Sequence, residues 1–270
     1  MLKDITLGQY FPGNTVAHKL DPRTKILLVV LYIVALFCAK SFLGYALMTL
    51  VLAVCVHISK VGVKALVRGL KPVLFIIIFT GVLNLFFTPG NRNLVEFGPI
   101  RISDLGLQNA IFMVVRVMLL IMGTFLMTYT TSPISLTDGL ERLLNGLKRF
   151  HVPVHELAMM MSIALRFIPT LIEETDKIMS AQKARGADFE SGNIIQKAKA
   201  LIPILVPLFI SAFRRADELA TAMECRCYHG GEGRTRLKVL RLTREDWLAS
   251  AVCLAAFALI FATRFFVPGL

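Results

Sequence analysis

The feature that most constrains this chain is an alternation: apolar runs nearly free of charge are separated by connections that carry most of the basic residues. Five runs, Ile26–Ala39, Phe42–Ile58, Val73–Phe87, Ala110–Thr131 and Trp247–Phe266, are predominantly apolar. A helix of about 20 such residues crosses ~30 Å of hydrocarbon. In lipid every backbone polar group must be satisfied within the chain, so helices are the expected form. The sequence is 56% hydrophobic yet has a formal net charge of +12, so charge and apolar surface must be segregated along it. This pattern excludes nucleic acid as a partner, because a basic nucleic-acid binder would not carry long uncharged apolar runs.

Loop charge predicts the orientation. Ser59–Pro72 holds Lys60, Lys64, Arg68 and Lys71 and no acid. The segment before the last run holds Arg234, Arg236, Lys238, Arg241 and Arg244. By contrast, Arg92 and Arg101 in Thr88–Asn109 are balanced by Glu96 and Asp104, and the connection after the first run holds Lys40 alone. Basic loops stay on the cytoplasmic side, so the N-terminus is expected inside and five crossings leave the C-terminus outside. The first two runs are short. Lys40 and Ser41 leave room only for a tight hairpin between them, because one long helix would bury Lys40 in mid-membrane.

The first run has a helix-start signature, with Asp21 as N-cap and Pro22 at the first helical position. Arg23 and Lys25 then sit at the positive end of the helix dipole, which disfavours them by up to about 1 kcal/mol. Anionic lipid offsets this by about 1 kcal/mol for each basic residue near the surface. Arg116 lies inside the fourth run, and its expected place is near the inner third, paired or snorkelling. No cleavable signal is expected at the start, which mixes polar, Gly and Pro residues.

Pro133–Asp246 is different. Apolar stretches such as Leu157–Leu165 and Leu201–Ala212 are interrupted by Arg166, Pro169, Pro203, Pro207, Arg214 and Arg215. Leu157, Met160, Met161, Ala164, Phe167, Ile168 and Leu171 recur at helical spacing, which predicts long amphipathic helices. The expected fold is an all-α, polytopic membrane helix bundle with a cytoplasmic domain of amphipathic helices. Its parts are residues 1–132 with four spans, 133–246 in the cytoplasm, and 247–270 as the final span.

Within the amphipathic region a motif occurs twice. Asp176, Ala181 and Arg185 are spaced as Asp217, Ala222 and Arg226 are. Small residues flank each arginine, in Ala184-Arg185-Gly186 and Cys225-Arg226-Cys227. Small neighbours bare the guanidinium, whose planar fork grips carboxylates or carbonyls in a fixed orientation. Gly186 is a natural helix stop. One such tip would be an ordinary helix end; two with the same upstream spacing point to a docking device for a soluble partner.

Candidate chemistry is sparse. Cys225, Cys227 and His229 are spaced too closely to share a tetrahedral metal site, so no metal is expected. His151 and His155 do not follow the zinc-protease order, and Pro153 separates them. The sequence carries no Walker Gly-Lys-Ser/Thr loop, so the chain is not expected to hydrolyse ATP, and no catalytic base and nucleophile stand out. A self-sufficient carrier would need polar groups near the midplane, where the runs offer little beyond Thr80, Asn84, Arg116 and Thr124.

The motifs resemble those of a known family, the transmembrane (T) components of energy-coupling factor transporters, importers of vitamins and trace metals in the ATP-binding cassette class. The resemblance rests on Gly8-Gln9-Tyr10-Phe11-Pro12-Gly13, Leu20-Asp21-Pro22-Arg23-Thr24-Lys25 and Ser162 to Leu171. It rests further on Ala181 to Phe189, on Thr221-Ala222-Met223-Glu224 with Arg226 and Tyr228, and on Gly233-Arg234-Thr235-Arg236. It implies a non-catalytic subunit in a prokaryotic plasma membrane. Arg185 and Arg226 would end coupling helices that dock on two ATPase subunits, a heterodimer that holds ATP and Mg²⁺, leaving this chain without a cofactor. The amphipathic helices would cradle one small, exchangeable substrate-capture membrane subunit. There is one departure: Cys227 stands where glycine often follows the arginine, so docking is expected to survive, cysteine being small, but a glycine-specific backbone angle would be lost.

Overall fold

The computed structural model describes residues 10–39, 41–88, 93–97, 100–189, 193–230 and 239–266. Several residues used above lie outside these: Gly8, Gln9, Lys40, Arg92, Gly233 to Arg236 and Lys238, and residues 267–270 of the final part. Described residues are helical apart from connections and one antiparallel hairpin, β1 (Asn93–Phe97) and β2 (Ile100–Ser103), with Val95 opposite Ile102. The chain divides into two compact units, Gly8–Gly139 with Leu240–Leu270, and Leu140–Val239.

The first unit is built from α1 (Val16–Lys19), α2 (Pro22–Cys38), α3 (Phe42–Ser59), α4 (Val63–Leu70), α5 (Leu74–Phe87), α6 (Asp104–Thr130), the start of α7 (Pro133–Leu144), and α10 (Arg244–Phe266). Helix α6 is central and packs on α2, α3, α4 and α5, while α10 packs on α2 and α3. The core includes Leu36, Tyr45, Met48, Leu52, Leu66, Leu119 and Ile260. The lipid-facing shell shows in exposed apolar side chains such as Phe42, Leu50, Phe75 and Val252. Small residues let the helices approach closely, as membrane packing requires. A Cβ on Gly123 would lie 2.5 Å from the Tyr32 ring, whose hydroxyl donates to Leu119 O at 3.0 Å.

Several helices begin earlier than the apolar runs, because polar residues cap them. Asp21 accepts from Arg23 N–H at 2.9 Å and Ser103 Oγ from Gly106 N–H at 2.9 Å, so α2 starts at Pro22 and α6 at Asp104. Ser59–Pro72 is not a simple loop: Val63, Leu66, Val67 and Leu70 recur at helical spacing, and Leu66 and Leu70 bury beneath α4. Among the described residues six helices are long and apolar enough to cross a membrane: Phe42–Ser59, Val63–Phe87, Asp104–Thr130, Val154–Ala184, Ile195–Glu224 and Arg244–Ala262. The 17-residue α2 is slightly shorter.

Polar contacts sort the helix ends. At one end Asp21 N–H donates to Asp246 Oδ1 at 2.8 Å, joining the starts of α2 and α10. Asp246 Oδ2 accepts from the backbone N–H and the hydroxyl of Thr243, at 2.7 and 2.8 Å, which ties down the residue before α10. Lys25 Nζ, just before the apolar stretch of α2, donates to Thr130 O at 2.9 Å and Thr131 Oγ1 at 3.2 Å, at the end of α6. Burial pushes this ammonium down to about 8, against the pull of Asp246 and Asp21. The end of α3 joins the same cluster, since Thr15 Oγ1 donates to Ser59 O at 3.4 Å. At the opposite end Ser103 Oγ donates to Thr88 O at 2.9 Å, closing α5 onto α6.

Two substitutions test this account. Gly123→Val forces the Tyr32 ring aside and is expected to cost about 1–3 kcal/mol. Asp246→Ala removes the acceptor of three donors at a position only 2% exposed, and should cost at least about 3 kcal/mol. Thermal unfolding in detergent should rank Asp246→Ala as the more damaging; equal or negligible shifts would refute the junction.

Candidate functional site

The second unit holds the arginine motifs, on the two longest helices. Helix α8 (Val154–Ala184) and helix α9 (Ile194–Glu224) have 31 residues each. The start of α8 is tied to α7 by His155 Nδ1 and Glu141 Oε1, 2.9 Å apart. The start of α9 is capped by Gln196 Oε1, which accepts from Asn193 N–H at 3.1 Å.

The helices meet along an apolar seam, where Ile163, Phe167 and Leu171 face Ala212, Leu219 and Met223 around a cavity of about 260 Å³. Arg215 donates to Glu174 at 2.8 Å, a partly exposed pair contributing at most about 1 kcal/mol. Near the end of α8, Gln182 Nε2 donates to Pro203 O at 3.4 Å. That carbonyl needs an outside donor because Pro207, four residues on, has no N–H. Partner positions fall along α9 as they rise along α8, so the helices run antiparallel. The two arginine tips therefore lie at opposite ends of the pair. From Pro203, beside the first tip, to the end of α9 is roughly 30 Å of helix.

Both tips have the same backbone geometry. After Arg185, Gly186 N–H donates to Lys183 O at 3.0 Å and Ala187 N–H to Gln182 O at 3.0 Å. After Arg226, Cys227 N–H donates to Glu224 O at 2.8 Å and Tyr228 N–H to Met223 O at 3.0 Å. Each pattern is a Schellman close, which satisfies two terminal carbonyls and needs a left-handed residue after the arginine. Gly186 has φ +86° and Cys227 φ +56°. The glycine-like angle expected to be lost at Cys227 is thus kept, at the cost of placing a Cβ in the left-handed region, about 1 kcal/mol. The two hydrogen bonds of the cap hold it there.

The flanking residues Ala184, Gly186, Cys225 and Cys227 are exposed, as are Arg185 and Arg226. Ala181 and Ala222 are exposed one turn before each arginine, on the same side, so no bulky group shields the guanidinium. Asp176 and Asp217 lie about two and a half turns before the arginines, on the opposite side of each helix. The Asp of the motif therefore does not pair with its own Arg. His229 Nδ1 bonds to Cys227 O at 2.9 Å, within the second tip.

The same helices expose long apolar faces. Leu157, Met160 and Met161 are exposed on α8, as are Leu205, Val206, Phe209, Ile210 and Phe213 on α9. The methionine face is open rather than packed shut. The Arg215–Glu174 pair, the Gln182–Pro203 bond and the Cys227 conformation were not expected from sequence. Aligning Cys227 with Gly186 in the repeat is the one signal that could have found the last.

In the first unit, Arg116 is near the middle of α6, not the inner third. Its Nε–H donates to Tyr45 Oη at 2.8 Å, and its guanidinium lies 5.7 Å from the ring centres of Phe37 and Tyr45. It borders a cavity of about 280 Å³ with Asn84, Gln108 and Asn109. Aromatic faces and a phenol hydroxyl thus replace the missing carboxylate.

Apolar helices long enough to cross a membrane, together with an antiparallel pair that exposes apolar side chains and two arginines, define a multi-pass membrane protein. The family model described as Cobalt transport protein, CbiQ, matches residues 13–237. The chain is 56% identical to the energy-coupling factor transporter transmembrane protein EcfT of Ruminiclostridium cellulolyticum, over 93% of this chain and 94% of that one. It is 55% identical to the protein of that name from Clostridium kluyveri, over 98% of both chains. To that of Bacillus subtilis it is 46% identical, over 98% of this chain and all of the other. The chain belongs to this family, the transmembrane components of energy-coupling factor transporters. The alternative of a self-sufficient carrier is not favoured.

The tip geometry makes a prediction. Cys227→Gly relieves the left-handed Cβ and should stabilise the second tip by about 0.4–1 kcal/mol, whereas Cys227→Val should loosen it. Hydrogen exchange at the Tyr228 amide reports this directly; slower exchange in Cys227→Val than in Cys227→Gly would contradict it.

Proposed function

We propose that this chain is the coupling scaffold of an energy-coupling factor importer for a vitamin or trace nutrient. Arg185 and Arg226 anchor two cytoplasmic ATPase subunits of the ATP-binding cassette class, a heterodimer. The observation that carries this reading is the duplicated tip: one backbone geometry, one bared arginine, at opposite ends of an antiparallel pair. Tips roughly 30 Å apart suit two separate subunits better than one. A planar guanidinium held by a closed helix end transmits a push without swivelling, which a flexible lysine would not.

The open faces of α8 and α9 take a small membrane subunit that captures the substrate, one at a time and exchangeably. Methionines suit that exchange, because unbranched thioethers re-pack against different partners. The region 133–246 lies on the cytoplasmic side with the N-terminus, as the basic loops require. Glu174, Arg166 and the prolines of α8 and α9 favour that placement over a crossing of the bilayer. ATP and Mg²⁺ belong to the partner subunits; this chain contributes neither a catalytic residue nor a cofactor site.

The tagged chain should co-purify with two ATPase subunits and a small hydrophobic protein. Arg185→Glu together with Arg226→Glu should release the ATPases and lower nutrient uptake by an order of magnitude or more, since breaking one buried, hydrogen-bonded charge pair at an interface costs about 2–5 kcal/mol. Full ATPase recovery and normal uptake in the double variant would refute the reading.

A further inference from the structure

A cavity of about 940 Å³ lies away from the arginine tips. It lies in the first unit, where span Phe42–Ser59 ends and span Val63–Phe87 begins. Its basic side chains are Lys60, Lys64 and Arg68, all exposed. Lys64 and Arg68 are one turn apart on α4, hence on one face of it. The apolar part of its lining includes Phe11, Val16, Ile58 and Val61. Among the described residues no carboxylate lines it and none of the three cations has an ion-pair partner.

The wall is built rather than loose. His18 Nε2 lies 3.0 Å from Phe11 O and Nδ1 2.6 Å from Thr15 Oγ1, which pins the loop from Phe11 to Val16. Phe11 N–H donates to Tyr129 O at 3.0 Å, and the Phe11 and Tyr129 rings meet edge to face. On the far side, Ser59 Oγ donates to Val56 O and accepts from Val61 N–H, fixing the turn around Lys60. Lys60 itself has φ +54°, a left-handed conformation that glycine or asparagine would adopt at less cost. That residue closes the end of α3, with its N–H donating to His57 O at 3.3 Å, and so sets the lysine at the rim of a cavity with two other cations.

We propose that this cavity binds the phosphate-bearing headgroup of an anionic membrane phospholipid. Three cations around a concave site match a phosphodiester, and the apolar lining matches the glycerol and first acyl carbons. A soluble phosphate would use the cations but leave that apolar lining wet. The position is that of the headgroup layer, because apolar spans end on one side of the cavity and begin on the other. Helix α4 continues the pattern: Leu66 and Leu70 are buried in the bundle, Val63 and Val67 are exposed, and Lys64 and Arg68 face the cavity. The site needs only that this end of the bundle meets a bilayer surface, whichever leaflet that is, so it stands apart from the assignment of the arginine tips.

The test uses the full chain in detergent, with phosphatidylglycerol or phosphatidylcholine added and bound lipid counted by native mass spectrometry. One phosphatidylglycerol should bind with roughly tenfold or greater preference over phosphatidylcholine, the size expected from two or three surface cations. The triple variant Lys60→Gln, Lys64→Gln, Arg68→Gln should lose that preference while its unfolding temperature stays unchanged. Gly62→Trp separates a built site from diffuse attraction. Gly62 lines the cavity with φ −61° and open space around an added Cβ, so the new ring fills the mouth and leaves every charge in place. It should also abolish the preference. Retained binding in the triple variant, or in Gly62→Trp, would overturn the proposal. Complete displacement by millimolar inorganic phosphate would overturn it too, in favour of a free-anion site.

Discussion

The membrane unit depends on a buried polar junction around Asp246. One carboxylate accepts from the backbone of Asp21 and from both donors of Thr243, and so joins the starts of α2 and α10. Lys25 adds the end of α6 by donating to carbonyl and hydroxyl acceptors there. Burying such groups is costly unless every one is partnered, and here they partner one another. Hydrophobic association cannot do this job between helices in lipid, because the surrounding chains are equally apolar. A polar knot at the helix ends, close to water, fixes which ends belong together. Close packing at Gly123 and Tyr32 then fixes the register.

The helix-pair unit answers a different demand. Both arginine ends are exposed and closed by one backbone pattern, while apolar side chains along α8 and α9 stay exposed. The Schellman closes make the ends, and they do so with glycine once and cysteine once. Prolines within α8 and α9 free carbonyls, and at Pro203 the loss is met by Gln182 from the opposite helix. An interruption of one helix has become a contact between two.

Arg116 shows how the membrane unit manages a charge without a counter-charge. Tyr45 supplies a hydroxyl acceptor, and two aromatic faces supply negative potential. Tyr45 is itself 4% exposed and stacked on Phe112, so the cation is held by the core rather than by lipid. The amides of Asn84, Gln108 and Asn109 complete a polar patch assembled from two helices.

Much of this was legible in the sequence, because its causes are local. Apolar runs dictate helices in lipid, Asp21 and Pro22 start one, and the recurrence of Asp, Ala and Arg at fixed spacing marks two like helix ends. The ends of α6 and the existence of α4 were less legible, since a single Ser103 cap and a short apolar repeat decide them. What only the tertiary structure decided is pairing over distance: Asp21 with Asp246, Lys25 with Thr130, Tyr45 with Arg116, Glu174 with Arg215. Each joins residues far apart in the chain, and hydropathy and charge counts are blind to partners of that kind. The left-handed Cys227 belongs with them, for its conformation is imposed by the hydrogen bonds of the closed cap rather than by the residue itself. Sequence determined the elements and their chemistry; folding determined which polar groups would find each other, because burial leaves them no water to bond instead.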